Sequence, residues 1–190
     1  MKTFSAMVIF LALFGFAQTA RAQESAPGEV PRVELYAGYD FLHTDVNVES
    51  GGAYTHNTYN LNGGGSQLIY NFNKWLGAVS ELAGFALVSG HIQPAAMSYL
   101  GGPRFTLRRG RVTPFVHTLF GGVFSKDGIN NGYASVFGMA IGGGADVRVN
   151  RRVSVRPLQA EYFLMKFPDG ENNRQNGFRY STGVVFRLSR

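Results

Sequence analysis

Hydrophobicity in this chain alternates with a period of two, and it does so in eight separate stretches. That period belongs to an extended strand with unlike faces, whereas a helix repeats every 3.6 residues or so. The final stretch, Tyr180 to Arg190, shows the pattern plainly. Tyr180, Thr182, Val184, Phe186 and Leu188 fall on one face; Arg179, Ser181, Gly183, Val185 and Arg187 fall on the other. A strand with one greasy face and one small or polar face can close a barrel in lipid. The other seven stretches run from Arg32 to Thr44, Leu61 to Asn73, Leu76 to Val88, Ala95 to Leu107, Val112 to Phe124, Tyr133 to Val149 and Val153 to Phe167.

The connections between them alternate in length. Short turns fall near 73–75, 108–111 and 150–152, and longer polar segments at 45–60, 89–94, 125–132 and 168–176. Tight turns at one end and long loops at the other describe an up-and-down barrel, with both termini on the short-turn side. A soluble barrel shares that topology, so the facing of the side chains has to separate the two.

The apolar face carries Val33, Leu35, Ala37, Tyr39 and Phe41 in the first stretch and Leu68, Tyr70 and Phe72 in the second. Met97, Tyr99 and Phe105, then Val116, Phe120 and Phe124, and then Phe137, Met139 and Ile141 continue it. The opposite face reads Asp40, Gln67, Glu81, Arg104, His117, Asp146, Glu161 and Arg179. A charge at mid-membrane costs several kcal/mol, so this second set must face inward if the barrel sits in lipid. An eight-stranded barrel has room for such side chains to fill its lumen and none for a wide channel. The expectation is therefore an all-β fold, an eight-stranded antiparallel up-and-down transmembrane β-barrel with a polar interior. Pro103, Pro114 and Pro157 lie inside the strands, where each removes a ladder donor, and predict bulges or an irregular rim at the short-turn end.

The N-terminus reads as an export signal. Met1 and Lys2 precede the apolar run Ala6 to Ala17, and Ala20-Arg21-Ala22 is a small-x-small cleavage site before Gln23. This divides the chain into a signal peptide at 1–22, an N-terminal segment at 23–31 and a barrel domain at 32–190. No cysteine is present, which excludes lipidation at the cleavage site, disulfides and thiolate chemistry. After cleavage the charge is about +4. The bases Lys74, Arg108, Arg109, Arg111, Arg151 and Arg152 sit at turns, where they suit a headgroup region and form no nucleic-acid-binding face.

Several local motifs resemble a known family. Phe72-Asn-Lys-Trp-Leu-Gly77, Leu100-Gly-Gly-Pro-Arg-Phe105, Arg111-Val-Thr-Pro-Phe-Val-His117, Gly143-Gly-Ala-Asp-Val-Arg148 and Arg156-Pro-Leu-Gln-Ala-Glu-Tyr162 are similar to segments of OmpA-like small outer-membrane β-barrels. The spacing Ser181-x-Gly183-x-x-Phe186-x-Leu188 also resembles the C-terminal insertion signal of such barrels, with Leu188 where the family often ends on an aromatic residue. The resemblance implies a bacterial outer-membrane location, outer-membrane lipids as surroundings and the barrel-insertion machinery as a partner during biogenesis. No peptidoglycan-binding domain follows the barrel, so the tethering role of longer relatives is not expected.

Nothing in the sequence calls for catalysis or a cofactor. His43, His56, His91 and His117 lie on different segments without paired metal-ligand spacing. Lipid A deacylases resemble this chain in architecture, but their His and Ser lie close together on the lipid-facing surface. Here His117 is followed by Thr118, with no Ser two residues later, and His91 by Gln93 at that spacing. The triplets at 63–65 and 142–144 precede neither a helix nor a Lys-Ser/Thr pair, so they read as small interior positions and not as phosphate loops. Glu81, Arg104 and His117 are expected to pair with one another in the lumen, and Asp40 with Arg179 where the barrel closes. Trp75, Tyr36, Tyr70, Tyr99, Tyr162 and Phe167 are candidates for interfacial girdles. The polar segment 45–60 is the candidate external loop, with no partner specified. The function expected is a structural or surface-interacting barrel, with a narrow gated channel, a lipid-modifying enzyme and a soluble periplasmic calycin-like binder as alternatives.

Overall fold

The computed structural model describes residues 30–50, 53–86, 95–126, 133–166 and 175–189. Eight strands form, β1 (Val33–Ser50), β2 (Ala53–Asn71), β3 (Leu76–Ala86), β4 (Ala95–Thr106), β5 (Val112–Lys126), β6 (Tyr133–Arg148), β7 (Val153–Met165) and β8 (Gln175–Ser189). Each pairs antiparallel with its neighbours in sequence, and β8 returns to β1, so the sheet closes on itself and leaves no edge within the wall. The signal peptide and Phe167 lie outside the described residues.

The short turns hold by local chemistry. Asn73 Oδ1 accepts hydrogen bonds from the backbone N–H of Trp75 (2.9 Å) and Leu76 (2.8 Å). Asn150 repeats the arrangement, accepting from Arg152 and Val153, both at 2.8 Å. An Asx side chain in this position substitutes for a backbone turn carbonyl. The turn between β4 and β5 instead uses Gly110, whose φ of 61° lies in the left-handed region that a side chain disfavours.

The expected segment boundaries shift most at the first hairpin. Residues 45–50 and 53–60 are strand where a loop is expected: the β1–β2 ladder continues from Asp45↔Thr58 to Ser50↔Ala53. Among the described residues β8 pairs with β1 only as far as Thr44↔Gly177, and β3 with β2 only as far as Asn62↔Ala86, so the paired hairpin extends beyond both ladders as a two-stranded ribbon. Polar residues concealed the strand because backbone pairing needs no buried face. β8 also begins five residues before Tyr180.

Of the three prolines only Pro157 produces a bulge. Across β7–β8 the register passes from Arg156↔Gly183 to Gln159↔Ser181, which inserts one extra residue, and the β6–β7 register shifts at the same place. At Pro103 the β4–β5 pairing is interrupted between Gly101↔Phe120 and Arg104↔His117 without a change of register. Pro114 keeps its place opposite Ala145, and its carbonyl still accepts the Leu107 N–H at 2.9 Å. A missing donor near a rim can therefore be absorbed without an inserted residue.

The glycine triplets are only partly interior. Gly64 and Gly143 occupy the alternate parity, whereas Gly63, Gly65, Gly142 and Gly144 lie on the lumen side of strands packed tightly against their neighbours. A Cβ on Gly144 would sit 3.0 Å from Gln159 Cα and 3.1 Å from Phe115 Cζ. Backbone at that distance cannot give way cheaply. Gly144→Val is thus expected to destabilise the barrel by about 1–3 kcal/mol, measured by denaturant titration of the membrane-inserted protein.

Candidate functional site: the polar lumen

All eight residues expected inside are there. Asp40, Gln67, Glu81, Arg104, His117, Asp146, Glu161 and Arg179 are each no more than 5% exposed. The apolar parity lies outside, where Leu82, Val116, Tyr99 and Phe120 stand among a continuous set of exposed large hydrophobics. The polar groups are inside and the greasy ones outside, the reverse of a water-soluble barrel.

Six inward side chains make a closed ring of polar contacts across the lumen. Arg156 Nη1 donates to Gln67 Oε1 (2.7 Å) and Gln159 Oε1 (2.6 Å). Gln67 Nε2 donates to Glu81 Oε2 at 2.7 Å, and Gln159 Nε2 to Glu161 Oε2 at 2.8 Å. Arg179 completes the circuit, with Nη1 2.6 Å from Glu81 Oε1 and Nε 2.7 Å from Glu161 Oε2. Two branches leave the ring. Asp146 takes Arg156 Nε at 2.7 Å and Arg104 Nη2 at 2.6 Å, and His117 Nε2 lies 2.6 Å from Glu161 Oε1. β2 and β3 stand on one side of this ring, β7 and β8 on the other, so it spans the bore.

The pairing differs from the one expected. Arg104 and His117 are cross-strand partners, yet their acids are Asp146 and Glu161, and Glu81 belongs to Arg179 and Gln67. Side chains this long reach across the lumen to a distant strand, so backbone proximity does not select the partner. Asp40 stands opposite Ser181 at the β1–β8 seam and Arg179 opposite Leu42, the next inward position, so the two are diagonal neighbours whose charges act on one another.

Arg156 is the hub that strict alternation hides. Counting by twos back from Glu161 places position 156 on the lipid side. The Pro157 bulge leaves Pro157 and Leu158 both exposed and turns Arg156 inward, completely buried. A bulge re-aims the side chains that follow it in this way. The Arg156 guanidinium then lies between two rings, 4.3 Å from the centre of Tyr36 and 4.4 Å from that of Phe115. Arg104 packs on the other ring contact, 3.7 Å from the Phe115 centre. Tyr36 is thereby a lumen residue and no part of a girdle, a correction its burial makes unavoidable. Trp75, Tyr70 and Tyr99 do face outward.

Above the ring, toward the long hairpins, the interior turns apolar. Leu42, Ala83, Phe85, Leu100, Leu119, Val123, Ala140, Phe163 and Met165 lie there, in a buried cluster that also takes in Tyr36, Ile69, Val79 and Val185 toward the short turns. Below it, Glu34 closes the short-turn end, accepting Asn71 Nδ2 at 2.9 Å and Arg108 Nη2 at 3.3 Å. The lumen thus sets the polar ring among buried apolar side chains, and only the polar set was visible in the pattern of charges.

Ser181 and Gly183 of the proposed insertion signal lie on the lumen side of β8, and Phe186 and Leu188 on the exposed side. Where β8 meets β1, the register slips between Val33↔Ser189 and Glu34↔Arg187, leaving Leu188 as the extra residue. Along the β1–β2 pair, toward the long hairpin, the outward face becomes polar, with Tyr39 donating to Asn62 and Thr58 donating to Asp45 at 2.8 Å.

No family model and no curated protein matches the chain by sequence. By shape it is similar to Neisserial surface protein A, at 12% identity and a TM-score of 0.63, over 82% of this chain and 96% of that one. OprG, an outer-membrane protein of Pseudomonas aeruginosa, also matches at 12% identity and a TM-score of 0.58, over 83% of this chain and 96% of its own. The attachment invasion locus protein Ail of Yersinia pestis matches at 16% identity and a TM-score of 0.50, over 81% and 96%. With eight strands, a closed antiparallel wall and an apolar exterior, the chain has the fold of the small outer-membrane β-barrels.

Proposed function

We propose that this protein is an integral outer-membrane β-barrel with a plugged lumen, serving a structural or surface-interacting role and carrying out no catalysis. The ring of Arg156, Gln67, Glu81, Arg179, Glu161 and Gln159 carries the reading, because it fills the bore with polar groups in direct contact with one another. A network of this kind fixes one interior arrangement, and each member opposes the removal of the others. The buried apolar cluster above it adds a second barrier to ions. His117 is engaged with Glu161 inside the wall, away from any lipid substrate on the outer face. Export through a cleaved signal peptide at 1–22 and recognition of Ser181, Gly183, Phe186 and Leu188 by the insertion machinery belong to the same reading. Ail has been crystallised with a heparin analogue, which supports surface contact as a use for such a barrel, made here through the projecting β1–β2 ribbon.

Fractionation provides the test. The protein is expected in the detergent-extracted membrane fraction, and to migrate differently on electrophoresis with and without boiling. A soluble band that boiling does not shift would reject the barrel in lipid. Planar-bilayer recordings are expected to show no stepwise conductance, and steady openings would favour the channel alternative.

A further inference from the structure

The plugged lumen makes no use of the short-turn rim, where most of the surplus charge is gathered. The β2–β3 turn presents Lys74, the β4–β5 turn Arg108, Arg109 and Arg111, and the β6–β7 turn Arg151 and Arg152. The two acids nearest them are buried and already engaged, Glu34 by Arg108 and Asn71, and Asp146 by Arg104 and Arg156. Lys74, Arg109, Arg111 and Arg152 remain exposed. Asn73 and Asn150 brace two of these turns through hydrogen bonds to the backbone, and Gly110 gives the third its left-handed bend. At the opposite end the long β1–β2 hairpin carries Asp45 and Glu49 and no Lys or Arg, and Lys126 and Lys166 stand at the ends of β5 and β7.

The level of this rim is marked by its neighbours. Directly beside it on the outer surface stand Phe72, Trp75, Phe105, Leu107 and Val149, all exposed. Trp75 stacks on Phe105, with ring centres 6.1 Å apart and planes 12° from parallel. Aromatic rings on a lipid-facing wall sit where acyl chains meet headgroups. Cations one step further out lie at the depth of the lipid phosphates. The three turns are spaced around the circumference, two strands apart, so the charge forms an annulus and not a single pocket. An annulus of cations at phosphate depth is complementary to a shell of anionic lipid.

We propose that the short-turn rim selects anionic phospholipid headgroups, of the phosphatidylglycerol type, from the leaflet it occupies and so sets the depth of the barrel. The proposal rests on the membrane reading above, and its test separates the two. Trp75 is the single tryptophan, and it lies within the rim. Lipids brominated near the headgroup quench tryptophan on contact, so Trp75 reports which lipid adjoins this end. The chain is folded into phosphatidylcholine vesicles containing equal mole fractions of either brominated phosphatidylglycerol or brominated phosphatidylcholine. At low salt the anionic lipid is expected to quench about two-fold more effectively, and the excess to shrink at high ionic strength. The triple variant Lys74→Gln, Arg109→Gln, Arg111→Gln should lose the excess while its quenching by phosphatidylcholine stays unchanged. Equal quenching by the two lipids in a barrel that migrates as folded overturns the proposal and leaves the membrane reading intact. A preference that persists in the triple variant overturns the assignment to these residues. Failure of the chain to enter vesicles overturns the membrane reading itself.

Discussion

Arg179→Met is expected to destabilise the folded barrel by about 3–5 kcal/mol, measured by denaturant titration in lipid or detergent. Arg179 is the only cation that contacts both Glu81 (2.6 Å) and Glu161 (2.7 Å) among the described ion pairs. Its removal takes the shared cation from two buried carboxylates, leaving Glu81 with Gln67 and Glu161 with Gln159 and His117. Methionine keeps much of the volume beside Phe163, whose ring centre is 5.1 Å from the guanidinium, so the loss reports charge more than packing. A double-mutant cycle sharpens the result. Arg179→Met with Glu161→Gln should show strong coupling, whereas Glu81→Gln with Arg104→Gln should show a weaker one. Those last two groups do not touch, and the shortest chain of contacts between them runs through Gln67, Arg156 and Asp146. Equal couplings would dissolve the ring as a description of the lumen.

Leu82→Arg addresses the other side of the wall. Leu82 lies midway along β3, points outward and is 56% exposed. In a bilayer an arginine there costs about 2–4 kcal/mol. On a water-soluble barrel the same exposed substitution would change stability by no more than about 0.5 kcal/mol. Titration of the variant in vesicles distinguishes these outcomes directly. A near-zero effect would mean that the exposed hydrophobic surface does not face lipid.

The strand count, the positions of the short turns and the inward set from Asp40 to Arg179 were legible because each depends on a local pattern. Phe186 and Leu188 fall on one face and Ser181 and Gly183 on the other for the same reason. Three things were not legible. The ribbon at 45–60 reads as loop because its residues are polar on both faces, and its pairing needs only backbone groups. The hydrophobic upper lumen is hidden because Leu100, Leu119 and Phe163 look like any other apolar residues until closure assigns them a side. Arg156 was missed because a parity count carried through Pro157 puts it in lipid.

The sequence by itself determined the number of strands, the sign of each face and the presence of a polar interior, since a period of two acts over neighbouring residues. Only the tertiary structure decided who pairs with whom. Ion pairs form between side chains that meet across a closed bore, and closure depends on register summed around eight strands. One inserted residue at Pro157 changes that sum locally, and with it turns Arg156 from a charge in the membrane into the centre of the network that fills the barrel.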